Sequence, residues 1–221
     1  GPKLELFQRV EPEPELKRGR KHMGVYLGVM GVQDGVDYGL RAIHHALKAG
    51  LEDTSFTFIG KGDDSERLYA LAGELGLLQD DLLRFTGRIS DDDLKRYLST
   101  ADFAIAPDPK DPLNDLCTMN KIIEYMAMGL PIVSFDLKES RRSAGDAAMY
   151  IADNDPEAMG RAMIELLADS ERRRAMGERG MRRVREQLCW NFSQRKLIAF
   201  YDALLQPQDR RAPAEPQPAM E

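Results

Sequence analysis

The stretch FAIAPDPKDPLNDLCTMNKIIEYMAMGLPIVSF, residues 103–135, contains a complete strand–loop–helix–strand pattern. The apolar run at residues 103–106 predicts a short strand. A helix is predicted around residues 119–128, and Gly129 is suited to stop it. A second apolar run, at residues 132–135, predicts the next strand. Two strands joined by a crossover helix are typical of a parallel sheet.

The same alternation continues on both sides of this stretch. Further strands are predicted at residues 23–29, 54–59, 82–86 and 149–151. Helices are predicted around residues 40–47 and 65–75, after Ser90, and at 157–167, 172–187 and 192–205. The strands are almost continuously apolar, which is expected when helices cover both faces of a sheet. The sequence therefore predicts an α/β fold with a Rossmann-like, doubly wound parallel sheet and helices on both faces.

The ends of the chain differ in composition from this alternating region. Residues 1–21 are polar and contain a basic run, so we expect a linker or lead-in. The folded domain is expected at residues 22–188 and a C-terminal helix at 189–206. Residues 207–221 are rich in proline and poor in apolar side chains, which predicts a disordered tail.

Composition excludes several classes of protein. The 221 residues carry 31 Lys+Arg against 37 Asp+Glu, a net charge of −6, which argues against nucleic-acid binding by bulk charge. Cys117 and Cys189 lack metal-ligand spacing, so we predict no disulfide framework, no metal site and a reducing, cytoplasmic location. No apolar run approaches the roughly 20 residues that span a bilayer.

Ligands of open α/β sheets bind outside the carboxyl ends of the strands. That rule selects four loops, at residues 28–35, 60–64, 87–89 and 107–121. The helix after the fourth loop has the most informative sequence. Thr118 is a plausible N-cap, and the backbone amides of Met119, Asn120 and Lys121 would form an anion site at the helix start.

Two side chains of the same helix extend this interpretation. Lys121 adds a full positive charge, and Glu124, three residues later, is an acceptor suited to two vicinal hydroxyl groups. A phosphate beside a ribose fits such a site. A surface helix with a weak Lys121–Glu124 pair fits the spacing equally well, so spacing alone leaves both open.

The block NKIIEYMAMGLPIVSFD, residues 120–136, resembles the nucleotide-sugar-binding segment of retaining glycosyltransferases with the GT-B fold, the glycosyltransferase group 1 family. Three earlier blocks resemble the same family in the same order. They are YLGVMGVQDGVDYGLRAI (26–43), FTFIGKGD (56–63) and LLRFTGRISDDDLKRYLSTADFAIAP (82–107). The likeness covers about residues 22–204, the C-terminal of the family's two Rossmann domains. It implies a separate N-terminal domain, absent from this chain, that carries most of the acceptor site.

The resemblance implies roles for individual residues. Glu124 matches the glutamate that contacts the donor ribose, and Met119 and Asn120 match positions whose amides hold the diphosphate. Residues 87–89 match the nucleobase loop, and residues 60–62 match the glycine loop below the donor. The predicted donor-binding set is Gly31, Gly60, Lys61, Gly62, Gly87, Arg88, Ile89, Asn114, Asp115, Thr118, Met119, Asn120, Lys121 and Glu124.

Three positions depart from the family pattern. Leu116 stands where the family often has a glutamate that reaches the donor sugar, with Asn114 and Asp115 beside it. Val29 and Asp34 stand where an arginine and a lysine usually hold the diphosphate. We therefore expect Lys121 to supply the missing charge, with Lys61 as a weaker substitute.

The leading hypothesis is a donor-binding domain that serves transfer of a hexose-type sugar, with retention, from a nucleoside diphosphate to an acceptor. The nucleotide sugar is a substrate, no further cofactor is expected, no catalytic residue is assigned, and the chain is expected to be inactive alone. A non-catalytic nucleotide-binding module and a nucleotide-sugar epimerase are the alternatives. Residues 171–186 hold seven arginines and three glutamates, which suits a solvated helix or contact with a membrane surface and a lipid-linked or saccharide acceptor. The second case places the protein at the inner face of the membrane.

Overall fold

The computed structural model describes residues 4–205, so the tail predicted at residues 207–221 lies outside the described residues. The strands are β1 His22–Leu27, β2 Thr54–Ile59, β3 Leu83–Gly87, β4 Phe103–Ala106, β5 Ile132–Phe135 and β6 Ala148–Ile151. The helices are α1 Val36–Lys48, α2 Ser65–Glu74, α3 Asp91–Thr100, α4 Asn120–Ala127, α5 Lys138–Ala144, α6 Pro156–Ala168, α7 Ser170–Arg183 and α8 Trp190–Leu205.

The six strands form one parallel sheet in the order β3-β2-β1-β4-β5-β6. This order confirms the predicted Rossmann-like, doubly wound fold. One buried cluster packs α1, α2 and α6 on one face, and a second packs α3 and α4 on the other. The order in which strands are added to the sheet reverses between β1 and β4. At such a switch point, the crevice for a ligand is expected where the two strands end.

Strands β1 and β4 pair over a short distance only. Gly24 is paired with Phe103 and Val25 with Ala104, and the ladder goes no further. Beyond it, the hydroxyl of Tyr125 on α4 accepts a hydrogen bond from the Leu27 amide at 2.6 Å. The same hydroxyl lies 3.3 Å from the carbonyl of Ile105. A side chain therefore satisfies the backbone where the two strands separate.

Several element boundaries differ from the prediction. Strand β1 ends at Leu27, two residues early, because the chain turns at Gly28. Helix α5 was not predicted, since only Ser140, Ser143 and Ala144 of its residues are buried and no apolar stripe marks it. The helix predicted at 172–187 is α-helical only to Arg183. A π-helical turn follows, closed by the Cys189 amide on the carbonyl of Val184 at 2.9 Å.

The segment before β1 is tied to the domain by arginine side chains. Arg9 donates to the carbonyls of Met128 and Ser99 at 2.7 and 2.8 Å. Arg18 donates to the carbonyl of Phe56 at 2.7 Å and to the hydroxyl of Thr57 at 2.9 Å. Residues of this segment, predicted to be a linker, therefore make specific contacts with the sheet and its helices.

Candidate functional site

A cleft of about 430 Å³ lies at the carboxyl ends of β1, β2 and β3. Its walls are Val29, Gly31, Val32, Gln33, Lys61, Gly62, Asp63, Asp64 and Arg88. Four of the residues predicted to bind a donor line this cleft: Gly31, Lys61, Gly62 and Arg88. The rule that ligands lie outside the carboxyl ends of the strands therefore selected the loops that form it.

Glycines let the loops after β1 and β2 touch through their backbones. A Cβ on Gly60, which has a φ of +130°, would stand 1.9 Å from the carbonyl oxygen of Gly28. A Cβ on Gly62 would stand 2.5 Å from the carbonyl oxygen of Met30. Both contacts exclude any larger residue, so these two glycines set how closely the two loops approach beside the cleft, which Gly62 itself lines.

The loops after β2 and β3 are joined next to the same cleft. The Gly60 amide donates to the carbonyl of Gly87 at 2.9 Å in an isolated antiparallel bridge. Lys61 and Arg88 each follow one residue of this bridge, and both side chains are exposed in the cleft. Ile89 is half-buried and packs against the core. The predicted nucleobase loop and glycine loop are thus neighbours.

Helix α4 begins one residue later than the predicted cap implies. Met119 is the N-cap, and its side chain accepts no capping hydrogen bond. The prediction that Thr118 caps the helix is wrong, because its hydroxyl instead donates to Glu139 at 3.1 Å. The amides of the first turn therefore receive no cap from these side chains, and they keep the capacity to donate hydrogen bonds to an anion. Asn120, the first helical residue, is exposed.

Lys121 does not present the free positive charge that the sequence led us to expect. Its side chain is only 8% exposed, and Nζ lies 2.7 Å from Oδ1 of Asp108 and 3.5 Å from Oδ1 of Asp34. Nζ also stands 5.0 Å from the centre of the Tyr26 ring. Burial opposes the charge, but Asp108, Tyr125 and Asp34 outweigh it and raise the pKa of Lys121. The ammonium is therefore charged and already compensated.

Unlike Lys121, Glu124 has no ion-pair partner among the described residues. Its carboxylate is half-buried one turn into α4, and burial raises its pKa against the opposing effect of Lys121. In the region from Leu4 to Leu205, no hydrogen bond or ion pair reaches this carboxylate, and the Lys121–Glu124 pair of the alternative interpretation is not formed. Glu124 thus holds unused acceptor capacity next to the helix start.

In the loop between β4 and α4, Asn114 and Asp115 make hydrogen bonds and an ion pair within the protein. Asn114 is buried, and its amide donates to the carbonyls of Gln33 and Pro109 at 2.9 and 3.0 Å. Asp115 accepts from the amide of Lys138 at 2.8 Å and pairs with its ammonium, which lowers the pKa of Asp115. These contacts join the loop to the turn after β1 and to α5. Leu116 is 73% exposed.

Two important side chains were not selected from the sequence. Asp108 lies two residues after β4, at the strand end where ligand-facing or paired polar groups are expected, so its position was a usable signal. Tyr125 lies within the predicted helix, and no local pattern marks its contact with β1. Across residues 4–205, no three His, Cys, Asp or Glu side chains form a metal-binding group. No helix in that range is long and apolar enough to cross a membrane.

A family model of the glycosyl transferases group 1 matches residues 21–169. The chain belongs to this family. The match contains all six strands and the helix that carries Glu124, so the resemblance proposed from the sequence blocks is confirmed.

Relatives within the family show the same relationship. A phosphatidyl-myo-inositol mannosyltransferase of Mycolicibacterium smegmatis is 28% identical over 160 residues, which cover 72% of this chain and 39% of the relative. A structure of the C-terminal domain of a glycosyl transferase group 1 family protein (LpcC) from Francisella tularensis superposes with a TM-score of 0.70 at 16% identity. The aligned region covers 86% of this chain and 99% of that domain.

The structure of Alr3699/HepE from Anabaena in complex with UDP superposes with a TM-score of 0.76 at 12% identity. The alignment covers 92% of this chain and 56% of that protein. The similar structures confirm that the fold is the C-terminal domain of a GT-B glycosyltransferase. The chain spans about two fifths of the length of the mannosyltransferase that it matches.

Proposed function

We propose that this domain binds the nucleoside diphosphate part of a sugar donor and serves transfer of the sugar with retention of configuration. Glu124 accepts hydrogen bonds from the ribose hydroxyls. The amides at the start of α4, from Met119, Asn120 and Lys121, receive the diphosphate. The UDP in the similar HepE structure supports a nucleoside diphosphate as the ligand class.

The observation that carries this proposal is the carboxylate of Glu124. A half-buried carboxylate without a partner costs stability unless a ligand uses it. It stands one turn from uncapped helix amides at the switch point of the sheet, where α/β domains bind nucleotides. Among the described residues, no hydrogen bond or ion pair ties this carboxylate to the protein, which favours a ligand as its partner.

Calorimetric titration of the 221-residue chain with UDP, GDP, ADP and their sugars tests the proposal. The Glu124→Ala variant should lose about 1.5–3 kcal/mol of binding free energy, the range for hydrogen bonds to charged groups. Glu52→Ala, which removes an exposed carboxylate before β2, is the matched control and should bind normally. Equal affinities in wild type and Glu124→Ala would remove Glu124 from the site.

A non-catalytic nucleotide-binding module remains the second candidate. It is favoured by Leu116, which is exposed where the family often has a glutamate that reaches the donor sugar. A transfer assay on the protein that contains both domains separates the two functions. Product formation supports the transferase, whereas tight nucleotide binding without product supports the module.

A further inference from the structure

Lys61 and Arg88 line the same cleft, and neither charge has a partner among the described residues. The Gly60–Gly87 bridge brings their loops together, and both side chains line the same 430 Å³ volume. In the described range, neither cation takes part in an ion pair. Of the two carboxylates in the cleft wall, Asp64 is paired with Arg67, so only Asp63 is left against two positive charges in that wall.

Lys121, the cation expected from the sequence to neutralise the diphosphate, is not available. Lys121 is 8% exposed and compensated by Asp108 and Asp34. In the turn after β1, Val29 and Asp34 occupy the two positions where the family usually has cations. The carboxylate of Asp34 accepts a hydrogen bond from the Gly31 amide at 3.1 Å and also pairs with Lys121. The amides of one helix start are equivalent to only about half a positive charge. A diphosphate therefore needs charge from elsewhere.

Resting on the proposed function, we infer that Lys61 and Arg88 together neutralise the diphosphate of the donor, in place of cations on the turn after β1. Two unpaired like charges in one cleft repel each other, and an anion between them removes that repulsion. Lys61 contributes a point charge, and Arg88 contributes a fork that can hold two oxygens. The backbone contacts of Gly60 with Gly28 and Gly87 fix both loops, so the cations are positioned before the ligand arrives.

The test measures the affinities of the best-binding member of UDP, GDP and ADP, of its nucleoside, and of inorganic pyrophosphate. The variants are Lys61→Met, Arg88→Met and their combination, with Lys48→Met, an exposed lysine at the end of α1, as the control. Each single variant should weaken diphosphate and pyrophosphate binding about tenfold or more, as loss of a charged hydrogen bond implies. Nucleoside binding and the Lys48→Met variant should be unchanged.

The salt dependence gives a second measurement. Diphosphate affinity should fall as salt rises in the wild type, and the double variant should be less sensitive to salt. Unchanged diphosphate affinity in both single variants, or equal losses for diphosphate and nucleoside, would overturn the inference while leaving the proposed function intact. If the wild type binds no nucleoside diphosphate, the proposed function fails, and this inference fails with it.

Discussion

The ammonium of Lys121 and the carboxylate of Asp108 form a buried ion pair, with Nζ 2.7 Å from Oδ1. The pair joins the start of α4 to the loop after β4, and Asp34 extends it to the turn after β1. A charge that the sequence led us to assign to a ligand thus holds three segments of the protein together. Its removal should affect stability before it affects affinity.

Asp108→Ala should destabilise the domain by about 3–5 kcal/mol, because it leaves a buried ammonium with only the more distant Asp34. Urea denaturation measures the loss. Asp92→Ala is the control, since Asp92 pairs with Lys95 at 3.3 Å but is 90% exposed, and its removal should cost much less. Equal losses in the two variants would mean that burial gives the Lys121 pair no special importance.

Glu124→Gln should stabilise the domain without ligand at neutral pH. Burial raises the pKa of Glu124 above its unfolded value, so the folded state retains its proton to higher pH. Stability contributed by this group is therefore present at low pH and lost as pH rises through the folded pKa. Thermal unfolding between about pH 4 and pH 8 should show that the stability of Glu124→Gln relative to wild type increases as the pH rises, because the groups that the two proteins share cancel in the comparison.

The same Glu124→Gln variant should bind nucleotide more weakly than wild type. A neutral amide retains one acceptor but loses the charge that strengthens hydrogen bonds from hydroxyl groups. Higher stability combined with lower affinity identifies a residue kept for its ligand. Lower stability in the absence of ligand would instead indicate a structural role.

Gly60→Ala should greatly reduce both stability and nucleotide binding. The new Cβ would stand 1.9 Å from the carbonyl oxygen of Gly28, and the φ of +130° strains any side chain. Gly50→Ala is the control: its φ of +96° is also strained, but a Cβ there has no neighbour within 4 Å. It should lose about 1–3 kcal/mol from strain alone and bind nucleotide normally. Circular dichroism melts and titrations distinguish the two variants.

The isolated chain should bind a nucleoside diphosphate and transfer no sugar. The chain has the fold of a C-terminal glycosyltransferase domain and spans about two fifths of the mannosyltransferase that it matches, so we expect it to supply one side of a two-domain cleft. Catalysis by positioning needs the acceptor held against the donor, and that requires the other side. Product detected with the 221-residue chain and a simple saccharide acceptor would contradict this expectation.

Continuous apolar runs made the strands easy to predict. Residues 54–59 are buried at every position, and the prediction matched β2 at both ends. Helix α5 escaped detection because its buried residues are serines and an alanine, which give no apolar period. Pattern reasoning works where burial and hydrophobicity agree.

The sequence predicted which loops form the site, but it did not predict which side chains form ion pairs with each other there. The strand-end rule selected the loops that carry Gly31, Lys61 and Arg88. It could not show that Lys121 turns inward, because the carboxylate that compensates it, Asp108, lies 13 residues earlier on another segment. Ion pairs between segments depend on how the loops fold against each other, and helical spacing does not contain that information.

Tyr125 bridges the backbone at the point where β1 and β4 separate. Its hydroxyl occupies the place where the next rung of the ladder would form, between the Leu27 amide and the Ile105 carbonyl. The two strand ends are consequently joined through one phenol group instead of through a backbone hydrogen bond. Loss of that hydroxyl would leave two backbone groups without a partner at the switch point of the sheet. The central opening of this sheet is thus completed by a helix side chain, so the integrity of the strand ends depends on how α4 is seated.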